Sequence, residues 1–131
     1  MKTTVKLAMT LFLMCAMSAL GGCTSCAKVS CVAPHADLPA TVSAGETLTI
    51  DVYDLWATCY DTGCGGPNGP LTSVTVEAVT GGNVVATATA PVNSQATAQV
   101  SLTIPSDATG MLTIRTSGTV FDLGTVDVVK G

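Results

Sequence analysis

Between positions 51 and 68 the chain reads DVYDLWATCYDTGCGGPN and concentrates its unusual chemistry. Tyr53, Trp56 and Tyr60 stand among three carboxylates, Asp51, Asp54 and Asp61, and beside Cys59 and Cys64. Loops that carry function are often built in this way, on a rigid scaffold and stapled by a disulfide. Asp54, Trp56, Tyr60 and Asp61 are therefore the candidate binding loop. A purely structural role competes, in which Trp56 caps the core at a strand end and Tyr53 covers an edge. Gly63, Gly65, Gly66 and Gly69 would then simply permit turns. Asp51, Asp54, Asp61 and the Asn68 amide offer hard oxygens of the kind calcium takes, but their spacing follows no EF-hand pattern, so no metal site is assigned.

Other chemistry has less to work with. His35 is the single histidine and sits between Pro34 and Ala36 in what reads as an exposed loop, which removes the usual histidine-based acid/base and multi-histidine metal sites. Serine and threonine are plentiful, but no motif around any of them makes an activated nucleophile, so the reading is not an enzyme and implies no cofactor.

The cysteines divide by position. Cys15 lies inside an apolar run of 14 residues, 7–20 (LAMTLFLMCAMSAL), preceded by Lys2 and Lys6. Crossing a bilayer takes roughly 20 apolar residues, so this run suits a signal peptide. It closes on Leu20-Gly21-Gly22-Cys23, which resembles the bacterial lipobox, where a branched apolar residue and two small ones precede a cysteine. The resemblance implies that the Cys23 thiol receives a diacylglyceryl group and that a lipoprotein signal peptidase cuts after Gly22. Acyl chains, at about 0.8 kcal/mol per buried methylene, would then hold the mature chain to a membrane. Residues 1–22 are read as the lipoprotein signal peptide, 23–27 as the lipidated N-terminus and short tether, and 28–131 as the folded domain. Removing 22 of 131 residues leaves 109, enough for one domain with one core. The mature part keeps three basic residues (Lys28, Arg115, Lys130) against nine acidic ones, a formal charge of −6. Three scattered cations make no basic face, which excludes nucleic-acid binding.

Cys26, Cys31, Cys59 and Cys64 remain, in a compartment where disulfides persist. Both pairs have the spacing C-x4-C, longer than the C-x2-C of structural zinc knuckles. Three disulfide connectivities are open to four cysteines. If the first two strands pair antiparallel about the turn at Ala44-Gly45, Cys31 faces Cys59 and Cys26 faces Cys64. Nested bonds are the favoured expectation, and local bonds within each pair the second.

The elements that must position these residues read as strands. The mature part holds 18 Thr and 15 Val among its 109 residues, a composition that favours strands, and no window carries a helical stripe. Residues 47–52 alternate, with Leu48, Ile50 and Val52 on one face. Residues 73–78 repeat the pattern with Val74, Val76 and Ala78, and Gly81-Gly82-Asn83 turns tightly into 84–90. In 95–104, Ala96, Ala98, Val100, Leu102 and Ile104 face inward while Gln95, Thr97, Gln99, Ser101 and Thr103 face outward. Leu112, Ile114 and Thr116 continue the alternation beyond Pro105. Ser117-Gly118 turns the chain, 119–123 returns, and Gly124 marks a bulge before 125–129. With a first strand near 28–33, continued near Thr41, about seven short strands result, and an antiparallel β-sandwich is predicted.

Two stretches carry a second resemblance. Ala44-Gly45-Glu46-Thr47-Leu48-Thr49-Ile50 and Ile104-Pro105-Ser106-Asp107-Ala108-Thr109-Gly110-Met111-Leu112-Thr113-Ile114 look like the turn-to-strand motifs of bacterial immunoglobulin-like domains. The resemblance spans most of residues 40–129, implies the fold, and carries no catalytic residue. The expectation is an exported lipoprotein with a single immunoglobulin-like domain, held at the extracytoplasmic face of the bacterial cell membrane or outer membrane. Such a module would bind an envelope protein or glycan, or serve as a structural part. The alternative is a metal-handling lipoprotein that uses the Asp51 to Asp61 loop or free thiols.

Overall fold

A computed structural model describes residues 31–59 and 69–131. The signal peptide, the tether, Cys23, Cys26, Tyr60, Asp61 and Cys64 fall outside the described residues.

The described chain is all β. Its first five strands are β1 (His35–Asp37), β2 (Thr41–Ser43), β3 (Thr47–Tyr53), β4 (Trp56–Thr58) and β5 (Gly69–Pro70). They are followed by β6 (Ser73–Thr80), β7 (Asn83–Pro91), β8 (Ala98–Thr103), β9 (Gly110–Thr116) and β10 (Asp122–Val129). These ten strands form three sheets, in the orders β1-β3-β8, β2-β10-β9-β6-β7 and β4-β5.

Period-two patterning decides which side of each strand is covered. In β3, Leu48, Ile50 and Val52 are buried while Thr47, Thr49 and Asp51 between them are exposed. The same alternation buries Val74, Val76 and Ala78 in β6, Ala98, Val100 and Leu102 in β8, and Leu112, Ile114 and Thr116 in β9. Side chains from both larger sheets join in one apolar cluster, completed by Val42, Leu55, Ala96, Ile104 and Val126. Successive side chains point to opposite faces, so a slip of one residue in any of these strands would turn its apolar set to water.

The turns follow their residues. Gly81 and Gly82 have φ of 57° and 81° and close β6 onto β7 with Thr80 opposite Asn83, the two-residue connection anticipated for Gly-Gly-Asn. Gly124 sits where the β9–β10 register shifts, so the expected bulge is present. A Cβ on Gly124 would come within 2.8 Å of the Leu38 side chain, and its φ is 139°. Glycine therefore lets Leu38 lie close against β10.

Several expectations change. There are ten strands among the described residues rather than seven, because β1 and β2 are separate and the short pair β4-β5 interrupts the candidate loop. The pairing is not wholly antiparallel: β2 runs parallel to β10, with Val42 opposite Val128. Pro39 explains the break, since it fixes its own φ and offers no N–H to continue β1 along β3. The chain leaves that sheet and joins the other, where Asp127 N–H donates to the Ala40 carbonyl at 3.0 Å. Residues 31–33, expected in the first strand, precede it, and 28–30 lie outside the described residues. Residues 119–121 do not extend β10. Ala96 is buried as expected, but in a turn with φ of 59°, so β8 starts at Ala98 instead of Gln95. The Asn93 side chain builds that turn by accepting from the N–H groups of Gln95 and Thr97, both at 3.0 Å. An asparagine that offers its side chain to nearby backbone competes with the strand ladder.

Candidate functional site

One disulfide fixes where the candidate loop sits. Cys31 is bonded to Cys59, with their α-carbons 5.9 Å apart, as the nested arrangement expected. Local pairing of Cys26 with Cys31 and of Cys59 with Cys64 is thereby excluded. The expected partner bond between Cys26 and Cys64 lies outside the described residues. The strand pairing behind the expectation differs in detail: β1 pairs with β3 with His35 opposite Tyr53 and Asp37 opposite Asp51, a register centred on Ala44 rather than Gly45. Two extra residues on the Cys59 side make up the difference. Asp54, with φ of 58°, and Leu55 turn the chain between β3 and β4 before Cys59 comes opposite Cys31.

Leu55 pins this crossing. Its side chain is buried, its N–H donates to the Ala96 carbonyl at 2.9 Å, and its carbonyl accepts from Leu71 N–H at 2.8 Å. Trp56 follows in β4, half-buried and packed against the core, so the capping role is realised. Its indole Nε1 is buried and meets no acceptor among the described residues. Asp54 does not stand free in solvent. One carboxylate oxygen lies 3.1 Å from His35 Nδ1, and the His35 ring stacks on Tyr53 with centroids 5.3 Å apart. His35 is thus a residue of β1 rather than of a loop, though still largely exposed. Asp51 accepts from the Gln99 amide at 3.3 Å on the solvent face of β3. Among the described residues no three His, Cys, Asp or Glu side chains come together as a metal site would require. Partial burial, then the Asp37 carboxylate that hydrogen-bonds the phenol, and then Asp51 raise the Tyr53 hydroxyl above its ordinary value.

Around the disulfide lies an open cavity of about 730 Å³. Its described walls come from segments far apart in sequence: residues 31–34, residues 54–57, Leu71, and the 117–121 turn between β9 and β10. Val32, Trp56, Leu71, Val74 and Phe121 give it an apolar interior. Asp54 is the one ionisable side chain among its described lining residues. The buried hydroxyl of Thr116 shapes the far wall. It donates to the Thr119 carbonyl at 2.7 Å and accepts from Phe121 N–H at 3.0 Å, folding the turn back over the cavity.

The sequence-derived loop residues are thus partly assembled. Asp54 and Trp56 both line the cavity, while Tyr60 and Asp61 lie outside the described residues. Val32, Leu71 and Phe121 were not anticipated. No local pattern could have joined them, because only the order of strands in the sheets brings the 117–121 turn beside residue 32.

Comparison with protein-family models, with curated proteins and with solved structures finds no match to this chain.

Proposed function

We propose that the protein is a lipid-anchored module of the bacterial cell envelope, acylated at Cys23 and held at the extracytoplasmic face of the cell membrane or outer membrane. Its domain is read as an immunoglobulin-like sandwich that binds an envelope protein or glycan, or serves as a structural part, without catalysis. The observation that carries the anchor is Leu20-Gly21-Gly22-Cys23 closing a short apolar run. Thr24, rather than Asp, after the cysteine favours the outer membrane under the enterobacterial sorting rule. A disulfide between Cys31 and Cys59 accords with an oxidising compartment.

Strand order supports the sandwich reading. The first strand is split, β1 pairing antiparallel with β3 and β2 pairing parallel with the last strand, β10. The orders β1-β3-β8 and β2-β10-β9-β6-β7 then follow the two sheets of a variable-type immunoglobulin domain, with β4 and β5 inside the first connection between sheets. In that arrangement residues 54–59 and 69–72 and the turn 117–121 fall at one end, where such domains carry their binding loops.

The metal-handling alternative has less support, since Cys31 and Cys59 are bonded to each other and Asp51 and Asp54 are engaged by Gln99 and His35. Metal analysis of the purified mature domain, with a free-thiol count, separates the two readings: bound metal would favour the alternative. The anchor is tested by replacing Cys23 with Ser. Metabolic labelling with a fatty acid should then be lost and an uncut precursor should accumulate. Unchanged labelling would refute acylation at Cys23.

A further inference from the structure

We propose that the end of the domain closed by the Cys31–Cys59 bond seats on the bilayer that holds the anchor, at the boundary between headgroups and acyl chains; this rests on acylation at Cys23. Cys31 lies eight positions past Cys23, so full extension allows about 29 Å between them. Cys31, the first described residue, lies at this end, and the C-terminal strand ends at the other, where Ala44 N–H donates to the Val129 carbonyl.

Three exposed apolar side chains converge here from separate segments. Val32 and Leu71 line the cavity, and Val120 lies between Thr119 and Phe121, which also line it. Trp56, in the same wall, is of the type that settles at membrane interfaces. Val84, Met111 and Val129 are also exposed, but none of them lines this cavity.

Among the described residues, few charges ring this cavity. Asp54 is the one ionisable side chain among the described lining residues of this cavity, and its carboxylate lies 3.1 Å from His35 Nδ1. The turns of the opposite end carry Glu46 and Asp107, with Lys130 at the end of the chain. A mature chain of charge −6 is repelled by anionic lipid, so the hold of this end on the surface comes from its apolar side chains rather than from charge. Apolar side chains ringed by few charges then enter the interface, where area taken from water adds to the hold of the acyl chains.

Trp56 is the only tryptophan of the chain, so its emission reports this end alone. The lipidated protein is placed in phosphatidylcholine vesicles, with and without lipids brominated near the glycerol end of their acyl chains. Brominated lipid should quench Trp56 at least twofold. Val32→Asp/Leu71→Asp/Val120→Asp should abolish the quenching while the protein still floats with the vesicles, and Met111→Asp should leave it unchanged. These positions are exposed, and an unaltered unfolding temperature will show that the fold is kept. Protein that floats without quenching, or a triple variant quenched like the parent, overturns the seating alone. Protein that fails to float overturns the anchor and the seating with it. If a second copy covers this end, the triple variant will convert dimer to monomer in detergent with no quenching by brominated lipid, and that too overturns the seating.

Discussion

Leu102 has no exposed surface, whereas Ser101 beside it faces solvent and shares a hydrogen bond with the Thr49 hydroxyl at 3.1 Å. Leu102→Ala leaves a void among Leu48, Ile50 and Val100 and should cost about 2 to 5 kcal/mol in urea denaturation. Ser101→Ala gives up one solvated bond and should cost about 0.5 kcal/mol or less. Equal costs would refute the assigned faces. Tyr53 supplies a pH test. Its hydroxyl is raised by partial burial and by the Asp37 and Asp51 carboxylates, so the folded state holds the phenolic proton more tightly than the unfolded state does. The resulting contribution to stability is full below the ordinary phenol value of about 10 and is lost as pH rises through the raised one. Tyr53→Phe should flatten the alkaline decline of the melting temperature, and an unchanged decline would contradict the coupling.

At the level of elements, much of the fold was legible because alternation in β3, β8 and β9 is strict, and in β6 it holds up to Ala78, where a register shift buries Val79 as well. The Gly-Gly turn and the Gly124 bulge were legible for the same kind of reason, a local backbone demand met by a local residue. The split of the first strand was not. It depends on Pro39 ending one pairing and on β10 offering a free edge to β2, and nothing within a few residues of Thr41 encodes that edge. Ala96 misled for a related reason: its burial fits the strand period, but the Asn93 side chain captures the backbone into a turn. Likewise, Asp54 and Trp56 could be named from composition, whereas the cavity they share with Val32 and Phe121 exists only through sheet order. Gly124 gives this scale its prediction. Gly124→Ala meets both a φ of 139° and a contact of 2.8 Å with Leu38, and should cost about 1 to 3 kcal/mol by thermal denaturation. Adding Leu38→Ala should relieve the clash but not the backbone strain, so the two costs will not add. Strict additivity would mean that Leu38 and residue 124 do not touch.

For the molecule as a whole, the Cys31–Cys59 bond ties the segment nearest Cys23 in sequence to the candidate loop, and under the proposed acylation at Cys23 it would set which end faces the membrane. It encloses about 29 residues and, in the chain-entropy model, contributes about 3 to 4 kcal/mol. Cys31→Ser/Cys59→Ser should lower stability by that order in urea denaturation, and a cost near zero would mean that the apolar cluster alone fixes the N-terminal segment. Digestion addresses both the anchor and the remaining cysteines, because trypsin cuts after Lys28 and finds no Lys or Arg until Arg115. Residues 23–28 should stay attached to residues 29–115 until reduction if Cys26 is bonded to Cys64. The most direct measurement is the mass of the 23–28 peptide from reduced, membrane-extracted protein. The account predicts a peptide that begins at Cys23 and carries a diacylglyceryl group on its sulfur. The same peptide without lipid, or a chain that still carries residues before Cys23, would contradict it.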